Sequence, residues 1–146
     1  MKLVYAFALV GDSLNTHHQI THLTAIQLFL LTKPRFDLIS VQTENMRTSD
    51  TLQTMLQSVS VKPVFVRQIL SPQCPTTSKF RFAFSYTIFN IWNMTEYDKI
   101  MYMDGDLAVL RNMDDLVYEW ATSGKTELRT PVSCDQRSTD IHYNTG

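Results

Sequence analysis

The chain has 146 residues, 44% of them apolar and 18% charged, with a formal charge of −1. This composition excludes intrinsic disorder and suits one compact domain spanning 1–146. The near balance of 13 Lys+Arg against 14 Asp+Glu gives no reason to expect a nucleic-acid partner, which would need a basic stripe.

In chain order, Leu3 to Val10 is a continuous apolar run cut by Gly11-Asp12. It is too short for a signal peptide and reads as a strand buried on both faces. Ser13 to Leu31 follows as a helix, with Leu14, Ile20, Leu23, Ile26 and Leu30 at helical spacing and His17, His18, Gln19 and His22 on other faces. Lys33-Pro34 stops it. Phe36 to Thr43 is a second strand. Ser49-Asp50 is an N-cap for a helix over Thr51 to Ser58, and Pro63 to Ile69 is a third strand. The aromatic-rich segment Lys79 to Met94 is a long helix. Lys99 to Met103 is a short apolar strand entering Asp104-Gly105-Asp106, and Leu107 to Leu110 continues extended. A short helix covers Asp115 to Trp120, and Glu127 to Ser133 is another strand. Ile141 to Gly146 reads as the opening of a further strand, as if the fold were cut short at its C-terminus. Alternating strands and helices predict βαβ units and an α/β fold. No apolar stretch reaches the length of a membrane span.

Asp104-Gly105-Asp106 carries the chemistry. Alternation at the end of a strand puts both carboxylates on one side, and the glycine leaves room for close approach of a ligand. Two adjacent carboxylates repel unless a cation sits between them. A hard divalent ion supplies that charge, takes oxygen ligands and can stabilise a diphosphate leaving group. The alternative is a solvated turn, because Asp and Gly are also turn residues.

The context favours the first reading. Thr95-Glu96-Tyr97-Asp98-Lys99 leads through an apolar strand into the triplet, and Asn112-Met113-Asp114-Asp115-Leu116 follows. This stretch resembles the central motif of glycosyltransferase family 8, the glycogenin-like enzymes. Val4 to Leu14, Arg35 to Val41 and Tyr143-Asn144-Thr145-Gly146 resemble that family's first strand and loop, second strand and "FNSG" segment. The resemblance implies a GT-A fold, a Rossmann-like α/β sheet, and metal-dependent transfer of a hexose from a UDP-sugar with retention of configuration. It implies Mn²⁺ or Mg²⁺ held by Asp104 and Asp106, with Asp104 also near the donor ribose. Gly11, Asp12 and Ser13 would hold the nucleotide base, Gly105 would line the donor site, and Asn144 and Asp135 would face the donor sugar. The partners implied are the UDP-sugar and an acceptor that is a glycan, a protein or a small polyol.

Three departures stand against this. Ile88 occupies a position where the family often has Lys, leaving Lys79 or Arg81 to substitute, and Leu14 stands where a base-stacking Tyr is common. The family's further metal-ligand His lies in a segment beyond position 146. The alternative reading is therefore a truncated, inactive UDP-binding fragment.

Other groups have blander readings. His17, His18 and His22 lack the Glu of an HExxH motif and read as solvated or packing residues. Phe80, Phe82, Phe84, Tyr86, Phe89 and Trp92 read mostly as core. Asn93-Met94-Thr95 matches a glycosylation sequon that is frequent by chance. Cys74 and Cys134 are too few for a disulfide scaffold. They suggest a reducing, cytoplasmic setting, with the secretory pathway or Golgi as the alternative if an anchor precedes the chain.

Overall fold

A computed structural model describes residues 1–11, 15–70, 85–124, 132–133 and 142–143. Its centre is a four-stranded, all-parallel sheet in the order β3-β2-β1-β4. The strands are β1 (Leu3–Leu9), β2 (Asp37–Thr43), β3 (Lys62–Val66) and β4 (Lys99–Asp104). Three helices connect or follow them: α1 (Thr16–Leu31), α2 (Asp50–Ser58) and α3 (Asp114–Thr122). The predicted α/β, Rossmann-like architecture is the one observed. Among the described residues, no helix is long and apolar enough to cross a membrane.

Every residue of β1 is buried, as its unbroken apolar run predicts. Tyr5, Phe7 and Leu9 face a core with Leu23, Ile26 and Phe29 of α1, Leu52 and Leu56 of α2, and Val117 and Ala121 of α3. Val4 and Ala6 face the opposite layer, with Ile39, Val41, Val66 and Met94. From β1 the chain steps outward through β2 to β3, then returns to the other side of β1 for β4. The direction of winding therefore reverses between β1 and β4, and in open α/β sheets ligand crevices form at the carboxyl ends of the strands at such a reversal.

Several boundaries and faces differ from the sequence reading. Helix α1 begins at Thr16, with the side chain of Asn15 accepting from the His17 N–H, while Leu14 lies outside the described residues. Its buried face carries His22, Leu23, Ala25, Ile26 and Phe29. Ile20, assigned to that face, is 58% exposed. Ser49 precedes α2 but does not cap it; its hydroxyl donates instead to Gln19 Oε1 at 2.7 Å, tying α2 to α1. Strand β3 ends at Val66 rather than Ile69, and Leu107 to Leu110 joins no ladder. The described part of the aromatic segment is a 3₁₀ helix, Ser85–Asn93, rather than an α-helix. Three residues per turn align positions i and i+3, so Tyr86, Phe89 and Trp92 form a ladder. Phe89 and Trp92 stack with centroids 4.8 Å apart, and Tyr86 meets Phe89 edge-on at 5.2 Å. All three are exposed, which corrects their assignment to the core, while Phe80, Phe82 and Phe84 lie outside the described residues. Near the C-terminus, β5 (Val132–Ser133) pairs antiparallel with β6 (His142–Tyr143), apart from the main sheet.

The Asn112-Met113-Asp114-Asp115 turn is a clasp at the end of the molecule away from the β4 terminus. Asp114 is 2% exposed; one carboxylate oxygen accepts from the Tyr5 hydroxyl at 2.8 Å and the other from the Arg35 backbone N–H at 2.9 Å. Asn112 accepts from the Asp114 N–H and donates to the carbonyls of Thr32 and Lys33. The start of α3 is thereby pinned to β1 and to the end of α1. Desolvation pushes the Asp114 pKa up, but hydrogen bonds from Arg35, Tyr5 and Asn112 outweigh it and hold it below its ordinary value. Stabilisation by this carboxylate is therefore present above the unfolded-state value near 4 and is lost as pH falls below it. We predict that Asp114→Ala costs about 3 kcal/mol in denaturant unfolding at pH 7. Asp114→Asn should flatten the loss of stability below about pH 4.

Candidate functional site

Strand β4 delivers Asp104 to the carboxyl edge of the sheet, opposite Ala8 of β1. The strand stops there. The Leu107 N–H donates to the Asp104 carbonyl at 3.1 Å, closing a turn over Asp104-Gly105-Asp106-Leu107. Asp106 thus sits in a turn rather than in an extended strand, so strand alternation does not govern its direction. Both carboxylates are exposed. Among the described residues no salt bridge reaches either of them, and no cluster of three or more His, Cys, Asp or Glu side chains forms there.

Tyr102, two residues earlier on the same face of β4, donates its hydroxyl to Asp104 Oδ1 at 2.9 Å. Burial, followed by the charge of Asp104, the hydrogen bond to it and the charge of Asp106, raises the phenol pKa well above its usual range. The phenol is therefore a fixed donor at neutral pH, and it senses both carboxylates. Asp106 also borders a hollow of about 200 Å³ against α1, alongside Ile20, Thr21 and Thr24. A larger hollow, of about 360 Å³, lies at the amino end of β3 beside Val61 and Pro63, at the opposite edge of the sheet.

Gly105 is glycine for an internal reason. A Cβ there would lie 2.1 Å from the Ala8 carbonyl oxygen and 3.0 Å from His22 Nδ1. The space expected to admit a ligand is occupied by the chain's own β1 backbone. At Gly11 nothing lies within 4 Å of an added Cβ. The Gly11 carbonyl accepts from Thr43 Oγ1 at 2.9 Å, which ties the carboxyl ends of β1 and β2 together. Asp12, Ser13, Asp135, Asn144, Lys79 and Arg81 lie outside the described residues.

The three N-terminal histidines divide. His17 and His18 are exposed, whereas His22 is fully buried beneath Gly105. His22 Nε2 lies 2.7 Å from Ser40 Oγ. Ser40 Oγ accepts from Gln42 Nε2 at 2.9 Å, and Gln53 Nε2 donates to Gln42 Oε1 at 2.9 Å. This polar chain runs from the turn through α1 and β2 to α2. Sequence reasoning missed Tyr102, Ser40, Gln42 and Gln53. The available signal was Ser40 and Gln42 alternating with Leu38 on one face of an otherwise apolar strand. Burial pushes the His22 pKa down to about 4, with the Gly105 backbone opposing the shift.

Two outcomes follow. A depressed histidine pKa means the unfolded state takes up the proton first, so its stabilising effect is full above about pH 6.5 and falls as pH drops toward about 4. Wild-type unfolding free energy should therefore lose on the order of 3 kcal/mol across that window, and His22→Leu should lack this loss. Separately, Gly105→Ala should cost about 1–3 kcal/mol in chemical denaturation, because its neighbour is rigid backbone, whereas Gly11→Ala should be close to neutral.

No family model matches the chain. It is 26% identical to a UDP-glucuronate:xylan alpha-glucuronosyltransferase 2 of Arabidopsis thaliana, over 85% of this chain and 23% of that protein. It is 28% identical to galactinol synthase 3 of the same organism, over 58% of this chain and 25% of that protein. Against galactinol synthase 7, identity is 43% over 35% of this chain and 17% of the relative. The matched stretch thus spans a quarter of the length of these curated relatives or less. The parallel sheet is a Rossmann-like arrangement of the GT-A type, and these relatives, together with the motif around Asp104-Gly105-Asp106, make the chain similar to glycosyltransferase family 8.

Proposed function

We propose that the chain is the donor-binding part of a retaining hexosyltransferase that moves a sugar from a UDP-sugar to an acceptor hydroxyl. The observation that carries this reading is the reversal of sheet order at β1 and β4, with Asp104-Gly105-Asp106 at the carboxyl end of β4. The β1–α1 loop, with Gly11, Asp12 and Ser13, starts from the neighbouring strand end and is assigned to the nucleotide base. Asp135 and Asn144 are assigned to the donor sugar.

The chemistry of the carboxylate pair fits a hard divalent cation, Mn²⁺ or Mg²⁺. Two exposed carboxylates without a cationic partner among the described residues concentrate negative charge that an oxygen-preferring ion would offset. When bound, such an ion supplies charge neutralisation for the diphosphate leaving group. Asp104 and Asp106 would hold it. Tyr102 restrains one Asp104 oxygen, which limits the rotamers of that carboxylate before any ligand arrives. The relatives' names give xylan as the acceptor in one case and galactinol as the product in others, so a glycan or a small polyol is the acceptor class proposed.

Calorimetric titration of UDP into the purified chain, with and without Mn²⁺, tests the reading. Wild type should bind only with Mn²⁺, and Asp106→Ala should lose at least about tenfold in affinity. Equal Mn²⁺-dependent affinity in wild type and Asp106→Ala would remove the assignment. A folded wild type that binds no UDP in either condition would favour the inactive-fragment reading.

A further inference from the structure

We propose that His22 is a positioning residue for the Asp104-Gly105-Asp106 turn: it grips Gly105 against β1 and so sets where the two flanking carboxylates point. The inference rests on the donor-site reading above for its functional consequence, but its geometry is independent of it.

Gly105 is held from two sides. The Ala8 carbonyl oxygen and His22 Nδ1 occupy the space a side chain would need, at 2.1 and 3.0 Å from the position of a Cβ. The imidazole cannot retreat, because its far side is braced. Ser40 takes a hydrogen bond from Gln42, so the Ser40 hydroxyl hydrogen is available to His22 Nε2. Gln42 is held in turn by Gln53, whose amide also donates to the Met46 carbonyl at 2.9 Å. In the tautomer in which Nε2 accepts from Ser40, the ring proton of the neutral imidazole lies on Nδ1, the atom facing Gly105. Nδ1 is fully buried, and the polar group it faces is the Gly105 backbone, just outside full hydrogen-bond geometry.

Packing alone does not call for this arrangement. The corresponding inward positions of β1 are Leu3, Tyr5, Phe7 and Leu9, with Tyr5 engaged by Asp114. On β2 the inward positions after Leu38 are Ser40 and Gln42, each fully buried. Apolar residues of similar volume would fill the same layer without desolvating three fully buried polar side chains, His22, Ser40 and Gln42. A buried polar chain that ends on the backbone of an exposed acidic turn orients that turn, in the way that outer partners orient the ligands of a metal site.

The discriminating variants are His22→Asn, whose amide can replace the Nδ1 side, His22→Gln, whose longer amide can replace the Nε2 side, and His22→Leu, which replaces neither. Three measurements apply to each: melting temperature, the ¹H–¹⁵N amide resonance of Gly105 without metal, and Mn²⁺-dependent UDP affinity. His22→Leu and His22→Gln should move the Gly105 resonance and weaken affinity by about 10-fold or more. His22→Asn should restore both toward wild type even though it loses the Ser40 contact and melts lower. Affinity that simply follows melting temperature across the series would overturn the proposal, as would a Gly105 resonance unmoved in His22→Gln. If His22→Leu fails to fold, the Asn and Gln variants decide the matter. If wild type itself binds no UDP with Mn²⁺, the donor-site reading fails, and the Gly105 resonance alone still upholds or overturns the role of His22.

Discussion

Strand β1 is buried along its whole length, flanked by β2 on one side and β4 on the other, with a packed layer on each face. A strand so placed can present no polar side chain without a partner, because an unsatisfied buried group costs on the order of 1–3 kcal/mol. Tyr5 is the exception that obeys the rule: its hydroxyl meets Asp114 and fastens α3 to the sheet. At the other end, the Ala8 carbonyl abuts Gly105 so closely that no side chain fits. The same strand therefore anchors the structural clasp and limits the acidic turn.

The two polar systems reached from β1 differ in character. Around Asp114, the Tyr5 hydroxyl and the Arg35 backbone and guanidinium N–H groups converge on one carboxylate, and the Asp114 N–H is taken up by Asn112. Around His22, the chain of side chains runs through three elements and ends on an imidazole nitrogen beneath the turn. The first behaves as a fastening. The second places one buried ring nitrogen against the backbone of Gly105, between the two exposed carboxylates.

The region around the turn is correspondingly asymmetric. Asp104 is restrained by Tyr102 from the face of β4 that packs toward the 3₁₀ segment, whereas Asp106 sits beyond the strand and borders the hollow against α1. One carboxylate of the pair is therefore pre-oriented and the other is carried on a turn. Their relative placement depends on how firmly Gly105 is held between them.

The linear order of residues determined the alternating α/β pattern, the buried first strand and the acidic triplet at the end of β4. These follow from local signals: continuous apolar runs, helical spacing and a family motif concentrated in one contiguous stretch. Sequence also carried the importance of Asn112 to Leu116, but not its role, since Tyr5 and Arg35 lie far away along the chain. Only tertiary structure decided that His22 is interior while His17 and His18 are not, because periodicity ranks a histidine as polar and cannot foresee Ser40 on another strand. Only tertiary structure decided that Tyr86, Phe89 and Trp92 face outward, since 3₁₀ winding aligns what an α-helix would have spread. And only the approach of β1 to the turn explains Gly105: a residue without a side chain leaves no trace in hydrophobic patterning, and its necessity appears when another strand's carbonyl fills the space.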